Sequence, residues 1–483
     1  MTGRIPIRLC CLLLFVGGRA CPAQPPNVLF IAVDDMRCDL GCYGHPEVIT
    51  PNLDRLARSA VRFERAYCQQ ALCNPSRASL LTGLRPDTLG IWNLTRGLRE
   101  ARPETVTLPQ LFRQQGYFTQ GIGKIFHNWR TKLKGDPLSW SVPARMHFAR
   151  HDDDLPQVAG QLPADQARAP RCHCLDVPDD AYFDGRIAAS AVDVLQQRAD
   201  KQQPLFLAVG FWKPHLPFNA PRKYWDMYER SAIRLPATPA RPALAPDIAF
   251  HDSREILRAA GDDGLNDRDV RELRHGYLAG ISYVDAQVGR LLETLEQTGL
   301  RDRTIIVFWS DHGFHLGENA LWCKTSNFER DARVPLLISV PGETAGAVCE
   351  TPVELVDLYP TLAELCDLTL PASLDGRSLV PLLKKPHRHE PRYAWTQHPR
   401  PAYYKGQPEV MGVSVRGRDL RYTEWRDFAT GAVLTREAYR YGPAFSEQEN
   451  VIDRLPPAVR NELEQQLREK FPLPDGRSGD GEP

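Results

Sequence analysis

The sequence predicts an α/β protein whose main sheet is largely parallel and covered by helices on both faces, joined to a smaller C-terminal unit. Three observations carry this. Short apolar runs alternate with amphipathic stretches through most of the chain, the pattern of strands buried between helices. At 483 residues the chain exceeds one ordinary domain, so a large domain with a smaller companion is expected. Beyond a basic, proline-bearing stretch that begins at Lys384, the pattern changes to strand alternation followed by one closing helix.

The first segment reads as a leader. Arg4 and Arg8 precede the apolar run LCCLLLFVGG, which is too short to span a bilayer as a helix, and Gly18-Arg19-Ala20 fits a cleavage site. Residues 1–23 are therefore assigned to a signal peptide, with export to a periplasmic or extracellular space and no integral membrane span. A lipid anchor on Cys21 is disfavoured by Arg19, which makes a poor lipobox.

Five runs then read as buried strands: NVLFIAV (27–33), YFTQGIG (117–123), PLFLAVGF (204–211), TIIVFWS (304–310) and VPLLISV (334–340). SRASLLTGL (76–84) reads as a helix, with Pro75 suited to its first turn. The clearest helix places Val270, Leu273, Tyr277, Ile281, Val284, Val288, Leu291 and Leu295 at alternating three- and four-residue steps, with Asn266 placed to cap it. That stripe is core. KKPHRHEPR (384–392) reads as a linker dividing a catalytic unit, 24–386, from a C-terminal unit, 387–483. In the latter, GVSVRGRDLRYTEW alternates as a hairpin with Gly417 and Asp419 near its turn, and PAVRNELEQQLREKF closes the chain as a helix.

Lys plus Arg and Asp plus Glu both number 60, so no overall field recruits nucleic acid or an acidic membrane. An anionic ligand must then be held by a local cluster. Of the 12 cysteines, Cys10 and Cys11 belong to the leader; Cys172 or Cys174 is open to a bridge, and Cys349 and Cys366 read equally well as buried thiols.

In sheets of this kind, ligands bind beyond the carboxyl ends of the strands. The first strand runs into Asp34-Asp35 and the fourth into Asp311-His312-Gly313. One such Asp pair is ordinary turn chemistry, but two carboxylate-bearing strand ends suit a hard divalent cation such as Ca²⁺ or Mg²⁺. Cys73 opens a polar turn before a helix, with Arg77 beside it. Its residue type alone allows a nucleophile, a metal ligand or a partly buried thiol.

CNPSRASLLTGLRP (73–86) resembles the signature of the sulfatase family, C-x-P-S-R followed by T-G-x-R-P, in which the cysteine is oxidised to Cα-formylglycine. Further matches run nearly end to end: NVLFIAVDDMR, TPNLDRLA, GKIFH, KPHLPF, SYVDAQVGRLL, SDHGFHLGE, ELVDLYPTL and DGRSL. The resemblance implies an alkaline-phosphatase-like fold, a large mixed, mostly parallel sheet flanked by helices with a C-terminal subdomain of antiparallel sheet plus helix, and a sulfuric ester hydrolase. GKIFH, SDHG, WCKTSNF, TQHPRP and MGVSVRGRDLRYTEW are most similar to members that remove 2-O-sulfate from a terminal uronic acid of glycosaminoglycan-type chains. Residues 141–185, with HDDD and RCHC, depart from the family pattern, as do about the last forty residues.

By this resemblance Asp34, Asp35, residue 73, Asp311 and His312 hold Ca²⁺, with Mg²⁺ as the alternative. Arg77 steadies the formylglycine hydroxyl, and Lys124 and Lys324 neutralise the sulfuryl oxygens. His127 is the base that triggers sulfate release, and His215 protonates the departing sugar oxygen. Gln397, His398 and Arg400 are expected to meet a uronic-acid carboxylate or, failing that, to form inter-domain contacts. Lys213 is either a solvated lysine or a substrate contact; His45 is an ordinary loop residue or, as the alternative, lines the pocket mouth, and His315 and Glu318 are expected to orient the metal ligands. The implied partners are a sulfated saccharide and a formylglycine-generating enzyme. A different sulfated sugar, a phosphate or phosphonate ester, or non-catalytic glycan binding with Cys73 left as a thiol are the alternatives.

Overall fold

The computed structural model describes residues 24–128, 134–147, 157, 172–257, 264–343, 345–371, 374–388 and 390–473. The expected leader, Cys21 and the HDDD run lie outside the described residues. At the centre is β1 (Asn27–Asp34), buried along its whole length because its apolar side chains serve both faces of the sheet. The other strands of this sheet are β2 (Val61–Phe63), β3 (Phe118–Gly123), β4 (Leu205–Pro214), β5 (Thr304–Ser310), β6 (Leu336–Ser339) and β7 (Ala347–Cys349). Their order is β7-β2-β6-β5-β1-β4-β3, and only β6 runs against the rest. The sheet is therefore mixed and mostly parallel.

Alternation along β1 builds two cores. Leu29, Ile31 and Val33 pack with α2 (Phe183–Arg198) and α3 (Asp267–Gln297) on one face. Val28, Phe30 and Ala32 pack on the other, with α1 (Cys73–Thr82). The Asn266 side chain caps α3, accepting from the backbone N–H of Arg268 at 3.0 Å and of Asp269 at 3.1 Å. One expected strand divides. Arg333–Val334 pairs with Ala66–Tyr67 in a separate small sheet, and β6 starts after Pro335, whose missing N–H interrupts a ladder.

The C-terminal unit is an antiparallel meander of β8 (Ala394–Arg400), β9 (Val410–Arg416), β10 (Leu420–Asp427) and β11 (Val433–Arg440). Its closing helix α4 (Pro457–Lys470) places Leu463 and Leu467 against Met411, Val413, Val415 and Tyr422. This sheet is tied to the main body through buried charge: Glu329 accepts from Arg416 Nε at 3.1 Å, Arg421 at 2.9 Å and the Tyr67 hydroxyl at 2.8 Å. No helix of the described residues is long and apolar enough to cross a membrane.

Candidate active site

Parallel pairing of β1 with β5 sets Val33 opposite Ser310, so the two acidic strand ends emerge side by side. Asp35 leaves β1 at φ 63°, a left-handed conformation that costs a non-glycine residue about 1–3 kcal/mol and turns its carboxylate back to the sheet end. α1 brings Cys73 to the same point. Its Sγ lies 3.2 Å from His312 Nε2 and donates to Asp34 Oδ1 at 3.4 Å; His312 Nε2 is 3.4 Å from Asp35 Oδ1. No side chain caps the start of α1, so the positive end of that helix faces the cluster.

One atom each from Asp34, Asp35, Cys73 and His312 lies within 4.8 Å of the others, all buried. His312 Nδ1 donates to the Gly313 carbonyl at 2.9 Å, which turns the lone pair of Nε2 inward. Asp35 Oδ1 is buried with no hydrogen-bond donor. Burial, partly opposed by Lys324 and reinforced by Asp34, pushes the Asp35 carboxyl up to about 7. An inward lone pair, an unsatisfied carboxylate oxygen and crowded acidic groups fit a hard divalent cation. Asp311 stands beside this set, with Oδ2 accepting from Arg77 Nε at 2.7 Å and Oδ1 from the backbone of His312 at 3.0 Å.

Arg77 is wholly buried, and its donors go to Asp311 and to the carbonyls of Lys124, Ile125 and Val33. It therefore braces the carboxylates beside residue 73. Lys124 reaches the site because Gly123, at φ 76°, lets β3 turn against β4; its backbone N–H donates to the Gly210 carbonyl at 2.8 Å. Its ammonium pairs with Asp34 and lies 4.5 Å from the Trp212 ring centre. Lys324 sits between two residues with positive φ, Cys323 at 70° and Thr325 at 91°, and contacts Asp35 Oδ2 at 3.1 Å and Glu255 Oε2 at 2.9 Å.

His215 Nε2 is 3.8 Å from Asp35 Oδ2, and its Nδ1 is 2.6 Å from the Leu216 carbonyl. Burial, reinforced by Lys324, holds its imidazole well below the usual range; burial and Lys124 do the same for His127. Both rings are neutral at neutral pH. The Cys73 thiol is pushed well above its usual value by burial and by Asp34, so it is protonated and unsuited to act as a thiolate.

Other expected residues are placed elsewhere. Arg400 donates to the carbonyls of Ile248 at 2.8 Å, Ala249 at 2.7 Å, Thr325 at 3.0 Å and Pro399 at 3.0 Å. β8 delivers it into a seam between the sheet and the main body, where buried carbonyls need donors, the inter-domain placement that stands beside its reading as a fork for a sugar carboxylate. His398 is fully buried in the same seam, 3.3 Å from Arg400, and Gln397 donates to Asp87 at 2.7 Å. His315 pairs with Asp331 at 2.6 Å and Glu318 with Arg37 and Arg274, a layer behind the cluster. Lys213 donates to the carbonyls of His215 and Pro217, and His45 accepts from the backbone of Glu47 and Val48. Trp212, Glu255 and Tyr403 also border the site without being singled out by any motif. Trp212 adjoins the KPHLPF run and was open to notice; nothing local marks Glu255.

Residues 26–368 match the sulfatase family. The chain is similar to iduronate 2-sulfatase of Mus musculus, 34% identical over 476 residues that span 83% of this chain and 85% of that one. It is also similar to choline-sulfatase of Rhizobium meliloti, 33% identical over 390 residues, 76% of this chain and 73% of the other. The structure of BT4656 in complex with its substrate D-glucosamine-2-N,6-O-disulfate superposes with a TM-score of 0.73 at 22% identity, covering 92% of this chain and 97% of that one, a likeness of fold. The architecture is alkaline-phosphatase-like. Because the family match takes in the strand ends that gather the acidic cluster, and the similarity extends across most of both chains, the protein belongs to the sulfatase family and hydrolyses sulfate esters.

Proposed function

We propose that this sulfatase removes 2-O-sulfate from a terminal uronic acid in the breakdown of glycosaminoglycan-type or other sulfated polysaccharides. It does so with Cα-formylglycine formed from Cys73 and with Ca²⁺, or Mg²⁺, held by Asp34, Asp35, residue 73, Asp311 and His312. The observation that carries the reading is the seat of Cys73. Its Sγ stands in for a formylglycine hydroxyl oxygen, 3.2 Å from His312 Nε2 and 3.4 Å from Asp34 Oδ1, in surroundings that keep the unmodified thiol protonated. The similarity to iduronate 2-sulfatase supports the sugar.

Addition of water to the aldehyde formed at residue 73 would supply geminal hydroxyls, one for attack on sulfur and one whose later deprotonation expels sulfate and restores the aldehyde. The cation supplies Lewis-acid polarisation of a sulfate oxygen. Around them, Lys124 and Lys324 bring positive charge to the sulfuryl oxygens, and Arg77 holds Asp34 and Asp311 in place. His127, neutral at rest, accepts the proton whose loss expels sulfate. His215 delivers a proton to the leaving sugar oxygen, its proton affinity raised by the anionic ester beside it. The leader 1–23, a catalytic unit 24–386 and a C-terminal unit 387–483 complete the reading, with export of the chain and a formylglycine-generating enzyme as partner in maturation.

A second reading keeps the chemistry and changes the sugar. It is favoured by the engagement of Arg400 with four main-chain carbonyls. Mass spectrometry of the peptide containing residue 73, from cells able to make formylglycine, paired with desulfation of a 2-O-sulfated uronate disaccharide, separates these. Aldehyde with sulfate release supports the proposal, aldehyde without release selects another sulfated sugar, and a persistent thiol without turnover removes the formylglycine mechanism.

A further inference from the structure

Lys324 is held by a group that lies far from every motif. Glu255, on the short helix Arg254–Leu257, contacts the Lys324 ammonium at 2.9 Å, while Asp35 contacts it at 3.1 Å. The other Glu255 oxygen accepts from the Tyr403 hydroxyl at 2.6 Å, and the Arg254 guanidinium stacks 3.4 Å from the Tyr403 ring centre. An unbroken chain, Asp35–Lys324–Glu255–Tyr403, thus joins the acidic cluster to the segment that follows β8.

An ammonium has three donors. Two acceptors on anchored partners fix the rotation of this one and leave the third donor for a sulfate oxygen. Glu255 keeps 27% of its side chain exposed, and its carboxylate sets a negative charge directly beside the Lys324 ammonium. That charge offsets the attraction of Lys124 and Lys324 for a released sulfate dianion.

We propose that Glu255, fixed by Tyr403, is a positioning residue that aims Lys324 at the sulfuryl group and limits the grip of the site on inorganic sulfate. The inference rests on Lys324 facing sulfate. Its test compares full-length protein, matured in cells that convert Cys73, with Glu255→Gln, Glu255→Asp and Tyr403→Phe. Calorimetric binding of inorganic sulfate and the separate kcat and KM of sulfate-ester hydrolysis are measured. Glu255→Gln should bind sulfate about three- to tenfold more tightly and lose about tenfold in kcat. Glu255→Asp should recover part of the kcat, and Tyr403→Phe should move both quantities the same way by less. A merely structural role would not tighten sulfate binding. Unchanged or weakened sulfate affinity in Glu255→Gln, or no sulfate binding by the parent protein, overturns the inference. A parent that binds sulfate but hydrolyses no ester overturns the functional reading instead, and the affinity comparison still decides the role of Glu255.

Discussion

Asp35 concentrates the unresolved charge of the site: a strained backbone, an oxygen without a donor and a carboxyl pushed up to about 7. A bound cation relieves the last two of these costs together, so Ca²⁺ should raise the thermal midpoint, by about 2.7 kcal/mol of added stability at a hundredfold excess over Kd. Asp35→Asn should lose most of that increase, as differential scanning calorimetry with and without Ca²⁺ will show. Cys73→Ala should lower turnover at least about a thousandfold while leaving the far-ultraviolet circular dichroism unchanged, because the nucleophile is removed from a helix start that needs no side-chain cap. Arg400 gives a contrasting case. Arg400→Ala should cost about 3 kcal/mol of stability through its orphaned carbonyls, with KM for a uronate substrate nearly unchanged; a large rise in KM alone would restore its substrate role.

Among the elements, the close approach of β3 to β4 has the sharpest consequence. A Cβ on Gly123 would sit 2.1 Å from the Gly210 carbonyl oxygen at a φ of 76°, so Gly123→Ala must push the strand end away. The expected cost is about 3 kcal/mol or more, with a loss of kcat because Lys124 is the next residue; urea midpoints and steady-state kinetics check both. Here the sequence was informative. The β1 and β5 runs are written as continuous apolar stretches, the α3 stripe in a 3.6-residue period behind its Asn266 cap, and the C-terminal hairpin in a two-residue alternation. The reversed β6 was not, since an apolar run of that length reads the same in either direction.

For the whole molecule, Glu329 is the pin between the main body and the C-terminal sheet. Burial raises its carboxyl, but Arg416 and Arg421 outweigh that and hold it at about 2, below the ordinary 4.5. A depressed carboxylate contributes stability that is present above its unfolded value and lost as pH falls through the folded one. Stability should therefore decline between pH 4.5 and about 2, with a shallower slope in Glu329→Gln. At neutral pH the same variant should lose about 3–5 kcal/mol, because two buried guanidinium groups are left short of a counter-charge. Urea midpoints measured across pH test both.

The sequence by itself determined the α/β class, the signature around Cys73, the acidic strand ends and the lysines and histidines that follow recognisable short runs, because each depends on spacing within a few residues. Tertiary structure decided what those side chains touch. Arg77 and Asp311, 234 positions apart, meet at the cluster, as Glu255 and Tyr403, 148 apart, meet beside Lys324. Arg400 carries the right chemistry for a carboxylate, yet the fold commits it to four carbonyls, since a buried seam satisfies its own polar groups before any ligand arrives.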